Sequence, residues 1–150
     1  MSSIATLRSE PGRLANVLHE QLPDADPQRY HTLLDRLTGE LGVPQDAQVW
    51  FASSPGRTEL AGNHTDHNRG KVLAASIPLD SVAAAVPRND TTVRLTSEGY
   101  PLVELDISDT DPHETEHDTT AALVRGMAAG FRRDGYRTGG FDAAVTSTVL

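Results

Sequence analysis

The segment GRTELAGNHTDHNRG, Gly56 to Gly70, places Arg57, Glu59, Asn63, His64, Asp66, His67 and Arg69 between glycines. Leu60 and Ala61 are its only apolar side chains. Three kinds of chemistry compete for it. Gly, Asn, Asp and His are common turn residues, so a plain surface loop is one reading. His64, Asp66 and His67 are all potential metal ligands. Their spacing is not a helical i, i+4 pair, however, and no remote ligand completes a set, so we assign the chain no metal site. The third reading is a polyol or sugar site. Hydroxyl groups are bound by charge-assisted, bidentate hydrogen bonds from Asp, Asn, His and Arg. Glycines let the backbone approach such a ligand closely.

The surrounding sequence supplies elements to hold this segment. Leu14, Val17, Leu18 and Leu22 follow helical spacing. Tyr30, Leu33, Leu34, Leu37 and Leu41 form a second stripe, with Asp26 as its cap, Pro27 in its first turn and Gly42 at its stop. A helical segment is therefore expected within residues 1–45. The pattern then turns to period two. QVWFAS, KVLAASI, SVAAAVPR, TTVRLTSE and LVELDIS read as strands, with Val49 and Phe51 on one face and Val93 alternating with Arg94. After the acidic loop SDTDPHETEHD, TTAALVRGMAAGFRRDGY reads as a helix with Leu123, Val124, Met127 and Phe131 inward. GGFDAAVTSTVL reads as a last strand. His113 and His117 belong to the acidic loop as solvated residues, and Arg132 and Arg133 complement the dipole of the helix end. The fold class is α/β (α+β), a mixed sheet with helices packed on it. We also expect the chain to be one piece of something longer, because an apolar strand with an uncovered face closes it.

Composition narrows the partners. A 150-residue chain can bury one domain core. Its net charge of −8 argues against nucleic-acid and anionic-membrane surfaces, which need clustered Lys and Arg. There is no cysteine, hence neither disulfide nor thiolate chemistry. The start MSSIATLRSEPGR lacks the apolar stretch of a signal peptide, and no run of ~18 apolar residues appears. A cytoplasmic location is expected.

SSPGRTELAGNHTDHNRG resembles the sugar-recognition motif of galactokinases, usually PGRxNLIGEHTDYNGG. Ser54 through Arg57, Leu60, Gly62, His64 through Asp66, Asn68 and Gly70 match. The order of elements resembles the family from about Leu33 onward. The resemblance implies a ribosomal protein S5 domain 2-like N-terminal domain of a GHMP kinase, with a left-handed β-α-β arrangement. It further implies that residues 1–150 are the sugar-binding part, cut before the phosphate loop that follows the last strand in the family. The implied reaction of the intact enzyme is phosphorylation of galactose by MgATP at the anomeric hydroxyl. ATP and Mg2+ would be bound mainly by parts outside this chain. A sugar sensor of galactokinase type, without turnover, is the alternative.

Residue roles follow from the same resemblance. Arg57 matches the arginine beside the reacting hydroxyl, where its charge favours an alkoxide and the transferring phosphoryl group. Asp66 matches the carboxylate that accepts bonds from sugar hydroxyls. His64 and Asn63 fall at the sugar pocket. Ser97 falls at a position bordering the adenine pocket, whereas Thr120 and Leu123 stand where the family has tryptophan and tyrosine. Asn63 replaces a glutamate, Glu59 an asparagine and His67 a tyrosine, and these changes bear on which sugar fits.

Overall fold

The computed structural model describes residues 2–21, 25–62 and 68–149. Leu22, Asn63, His64, Asp66 and His67 lie outside the described residues. Strand β1 (Ser2–Ser3) leads into helices α1 (Ile4–Ser9), α2 (Pro11–Gln21) and α3 (Pro27–Gly39). Strands β2 (Gln48–Ala61), β3 (Leu73–Pro87), β4 (Thr92–Ser97) and β5 (Val103–Asp106) follow, then α4 (Thr120–Arg133) and β6 (Phe141–Ser147).

Local chemistry explains the helix boundaries. The Asp26 carboxylate accepts from the Gln28 backbone N–H at 2.9 Å, and Pro27 occupies the first helical position of α3. Beyond the α3 C-cap, Gly42 turns the chain at φ +65°. Thr119 caps α4 by accepting from Ala122 N. Ser3 caps α1, a helix too short for periodicity to reveal.

The six strands form one mixed sheet in the order β1-β2-β3-β6-β4-β5. Every neighbouring pair is antiparallel except β4 and β6, which run parallel. This architecture is the expected mixed sheet with helices. Its two faces are covered unequally. On one, Tyr30, Leu33, Leu34 and Leu37 of α3 pack with Val49, Val82, Ala84, Val86 and Ala144, together with Ile4, Leu7, Leu14 and Leu18. Removing each such leucine, isoleucine or valine side chain from water stabilises by about 2 kcal/mol. A smaller cluster joins Val93, Leu105 and Ile107 to Ala128 and Val124 of α4.

Helix α4 corrects one expectation. Leu123, Met127 and Phe131 are 71%, 64% and 51% exposed, while Arg125 and Ala128 are buried. The helix turns Arg125 inward because its guanidinium finds a full set of acceptors there. It donates to both Glu116 carboxylate oxygens at 2.7 Å and to the carbonyls of Asp106 and Asp109. A buried charge so paired is tolerated, and the apolar stripe rotates outward. Met127 and Phe131 then flank an apolar cleft of about 200 Å³ against Ile107 and Phe141. Among the described residues no helix is long and apolar enough to cross a membrane.

Candidate functional site

The polar segment is carried by a two-stranded ribbon. Two apolar runs expected as separate strands, KVLAASI and SVAAAVPR, are one strand, β3, and β2 continues past QVWFAS to Ala61. The first half of the polar segment, Gly56 to Ala61, is therefore strand and not loop. From Trp50 to Ser54, β2 pairs with the part of β3 that also binds β6. Beyond Pro55 the ladder joins only these two strands, up to Ala61 opposite Leu73. Such a ribbon reaches on the order of 20 Å beyond the sheet. Its side chains are mostly exposed.

The register breaks at the foot of the ribbon. Pro55 faces Asp80, but Arg57 faces Ser76, so β3 carries extra residues there. Pro55 and Pro78 explain the break, because neither has an N–H to give to the ladder. Gly56 sits in this irregularity, where a side chain would fit only if its neighbours gave way by a few tenths of an ångström. A Cβ there would stand 3.0 Å from the Val149 side chain and 3.1 Å from Ile77. Arg57 is thus the first residue of the regular outer ribbon, and its side chain is exposed. A second irregularity lies between Glu59 and Ala61. At the tip, Gly62 has φ +122°, and a Cβ on it would meet the Lys71 carbonyl oxygen at 2.7 Å. The motif glycine therefore lets the two strands touch backbone to backbone where the polar loop begins.

The foot is fastened by charge. Asp80 accepts from the Arg29 guanidinium of α3 at 2.6 Å and from the Ser53 hydroxyl at 2.6 Å. Burial pushes the Asp80 carboxyl up, but the bonds from Ser53 and Arg29 outweigh it and hold it below the ordinary range. Two further polar clusters pin α3 and the strands beside it. Arg36 donates to Thr96 at 2.7 Å and to Glu40 at 2.8 Å, and the bonds that Arg36 and the Thr96 hydroxyl give to Glu40 lower its carboxyl. Arg94 clasps the buried Asp142 carboxylate at 2.7 and 2.8 Å, and Arg88 adds a second guanidinium at 3.2 Å. Each of these three clusters joins residues roughly fifty or more positions apart, besides the closer Arg36–Glu40 and Ser53–Asp80 pairs, so spacing along the chain does not reveal them.

Ser97 is the last residue of β4, half-buried, opposite Val145 where the parallel pair with β6 ends. Its carbonyl accepts from Tyr100 N, and Gly99 closes that turn at φ +79°. Strands β3 and β6 lie between β2 and β4, so Ser97 and Arg57 are separated laterally by about 14 Å. Among the described residues no three His, Asp or Glu side chains converge as metal ligands.

Comparison with known proteins places the same ribbon in a family context. The model for the galactokinase galactose-binding signature matches residues 40–87, which span β2, the polar loop and β3. The galactokinase of Lactococcus lactis subsp. cremoris is 33% identical over 121 residues, 78% of this chain and 29% of the relative. That of Streptomyces coelicolor is 37% identical over 112 residues, covering 73% of this chain and 28% of the relative. The chain thus spans less than a third of the length of these curated relatives. Among solved structures, Lactococcus lactis galactokinase complexed with galactose superposes with a TM-score of 0.65 at 29% identity, over 77% of this chain and 30% of that one. Methanococcus jannaschii mevalonate kinase shares the fold alone, at a TM-score of 0.53 and 11% identity, over 69% of this chain and 33% of that one. Signature, relatives and fold agree in one likeness: the chain carries the galactokinase galactose-binding signature and is similar to galactokinases over about three quarters of its length, with a coverage that fits an N-terminal portion of them.

Proposed function

We propose that this chain is the sugar-binding part of an ATP-dependent galactokinase, and that the whole protein phosphorylates galactose at its anomeric hydroxyl. In that reaction a bond forms between the anomeric oxygen and the γ-phosphorus of ATP. The bond from that phosphorus to the β–γ bridging oxygen breaks, and the hydroxyl proton is released. The products are galactose 1-phosphate and ADP. Asp66 accepts hydrogen bonds from two sugar hydroxyls, which an acceptor-only carboxylate does well. His64 and Asn63 bond further hydroxyls. Arg57 holds a permanent positive charge beside the reacting oxygen and stabilises charge that builds up during transfer. Mg2+ and most of the nucleotide contacts belong to the two-thirds of the family's length outside this chain, with Ser97 at the edge of the adenine site. A cytoplasmic location suits an enzyme that uses ATP.

The observation that carries this reading is the galactose-binding signature over residues 40–87, lying on the ribbon that bears Arg57. Its test is a titration of the 150-residue chain with galactose, with glucose as control, followed by backbone amide NMR. Galactose should shift the amides around Arg57 and the polar loop, and Asp66→Ala should abolish the response. No response, or an equal response to glucose, overturns the sugar site. With MgATP added, the same chain should show no turnover in a coupled assay. Turnover that survives further purification would refute the placement of the phosphate-transfer machinery outside these residues.

A further inference from the structure

The foot of the ribbon joins elements that are far apart in sequence, and all of them meet at Asp80. Its carboxylate takes Arg29 from α3 on one oxygen and Ser53 from β2 on the other. Its backbone takes the segment after β6. Asp80 N donates to the Thr148 hydroxyl at 3.0 Å, and the Asp80 carbonyl accepts from Thr148 N at 2.9 Å. Arg29 also reaches that carbonyl, at 3.4 Å. The Arg29 and Asp80 side chains are each only 23% exposed, so water competes weakly for their bond.

The position of this joint gives it leverage. Asp80 faces Pro55, the last pair before the register breaks, and Arg57 follows two residues later. An unsupported two-stranded ribbon is marginal in water. Prolines at 55 and 78 remove ladder bonds where the ribbon leaves the sheet. The direction of the ribbon must therefore be set by something other than the ladder. The bonds through Asp80 fasten the last pair on the sheet side of that break, and the Val149 side chain lies against Gly56 within it.

We infer that Asp80 is a positioning residue: by tying Arg29, Ser53 and Thr148 together at the foot of the β2–β3 ribbon, it fixes the direction in which the ribbon presents Arg57. This deepens the sugar-site reading and, for its functional consequence, rests on it. Asp80→Asn keeps the size of the side chain and removes the charge that Arg29 binds.

The test is amide hydrogen exchange on the 150-residue chain, paired with galactose titration. In Asp80→Asn, exchange from Arg57 to Glu59 should rise about tenfold or more, while Val93 and Leu105, in strands far from the joint, keep their rates. Galactose affinity should fall several-fold. Ser53→Ala, which removes one bond from an uncharged donor and leaves the Arg29–Asp80 pair, should give the same pattern at smaller amplitude and keeps the test open if Asp80→Asn does not fold. Exchange that rises equally in all strands would make Asp80 a stability residue only, and unchanged ribbon exchange would remove the joint altogether. If the unsubstituted chain gives no galactose response, the sugar reading fails, and the exchange pattern still decides the role of Asp80.

Discussion

Gly62→Ala probes the ribbon where it meets the polar loop. An L-residue at φ +122° gives up about 1–2 kcal/mol of backbone energy. The new Cβ would also stand 2.7 Å from the Lys71 carbonyl oxygen and 2.8 Å from Val72 Cα, closer than real Cβ atoms approach. Both neighbours are backbone, so no rotamer change relieves the contact. The opposite strand must shift, at a further strain of about 1–2 kcal/mol. The total is about 3 kcal/mol. Gly99→Ala isolates the first part, because Gly99 also has positive φ, +79°, but a Cβ there meets nothing within 4 Å. It should cost about 1 kcal/mol. The larger penalty at Gly62 has two outlets. If the tip holds its geometry, Tm falls by roughly 6–12 °C, against about 2–4 °C for Gly99→Ala. If the tip relaxes, Tm holds and galactose binding weakens, by up to about 100-fold. Circular-dichroism melts and galactose titration of both variants distinguish the outlets. Equal behaviour of Gly62→Ala and Gly99→Ala in both measurements would refute the close-approach argument.

Asp142→Ala should lower stability by about 2 kcal/mol. Breaking a buried pair costs about 3–5 kcal/mol, but Arg94 keeps the Leu41 carbonyl and Arg88 keeps Asp90. Urea titration that leaves the midpoint unmoved would show that the two arginines re-solvate freely. Tyr30→Phe should raise Tm by about 2–4 °C, since the buried Tyr30 hydroxyl has no hydrogen-bond partner among the described residues; a fall would reveal a partner for it. Acid should destabilise the chain through its paired carboxylates. Arg36 holds Glu40, Arg88 holds Asp90 and Arg125 holds Glu116 below their ordinary values, Asp90 at about 2. Depressed carboxylates contribute fully above the unfolded values of 4.5 and 3.8 and lose that contribution as pH falls through the folded ones. Melting temperature should be flat from pH 7 to about 5 and drop between about 4.5 and 2. A main loss between pH 7 and 5 would point to histidines instead.

Much of this architecture could be read from the residues because it is set locally. The α3 stripe, its Asp26 cap and the alternation in β4 and β5 each depend on neighbours within a turn or a strand. The polar motif was legible for another reason. Its residue types are unusual at that density, and the galactokinase galactose-binding signature, which matches residues 40–87, bears out the resemblance they suggested. The inward face of α4 was misread because apolar spacing takes no account of a buried arginine. Arg125 turned the helix by finding acceptors on Glu116 and on the carbonyls of Asp106 and Asp109, none of which a periodicity can foresee.

The sequence alone determined which residues gather on the motif, which segments are apolar on one side, and which family they resemble. Tertiary structure decided where the motif stands. Pro55 and Pro78 look like loop residues until β2 and β3 pair around them and turn their missing donors into a break in register. Likewise, Asp80 is an ordinary strand residue until Arg29, 51 positions earlier, and Thr148, 68 positions later, arrive at its two ends. Contacts over such separations depend on strand order and register, which the whole sheet fixes at once and no local stretch encodes.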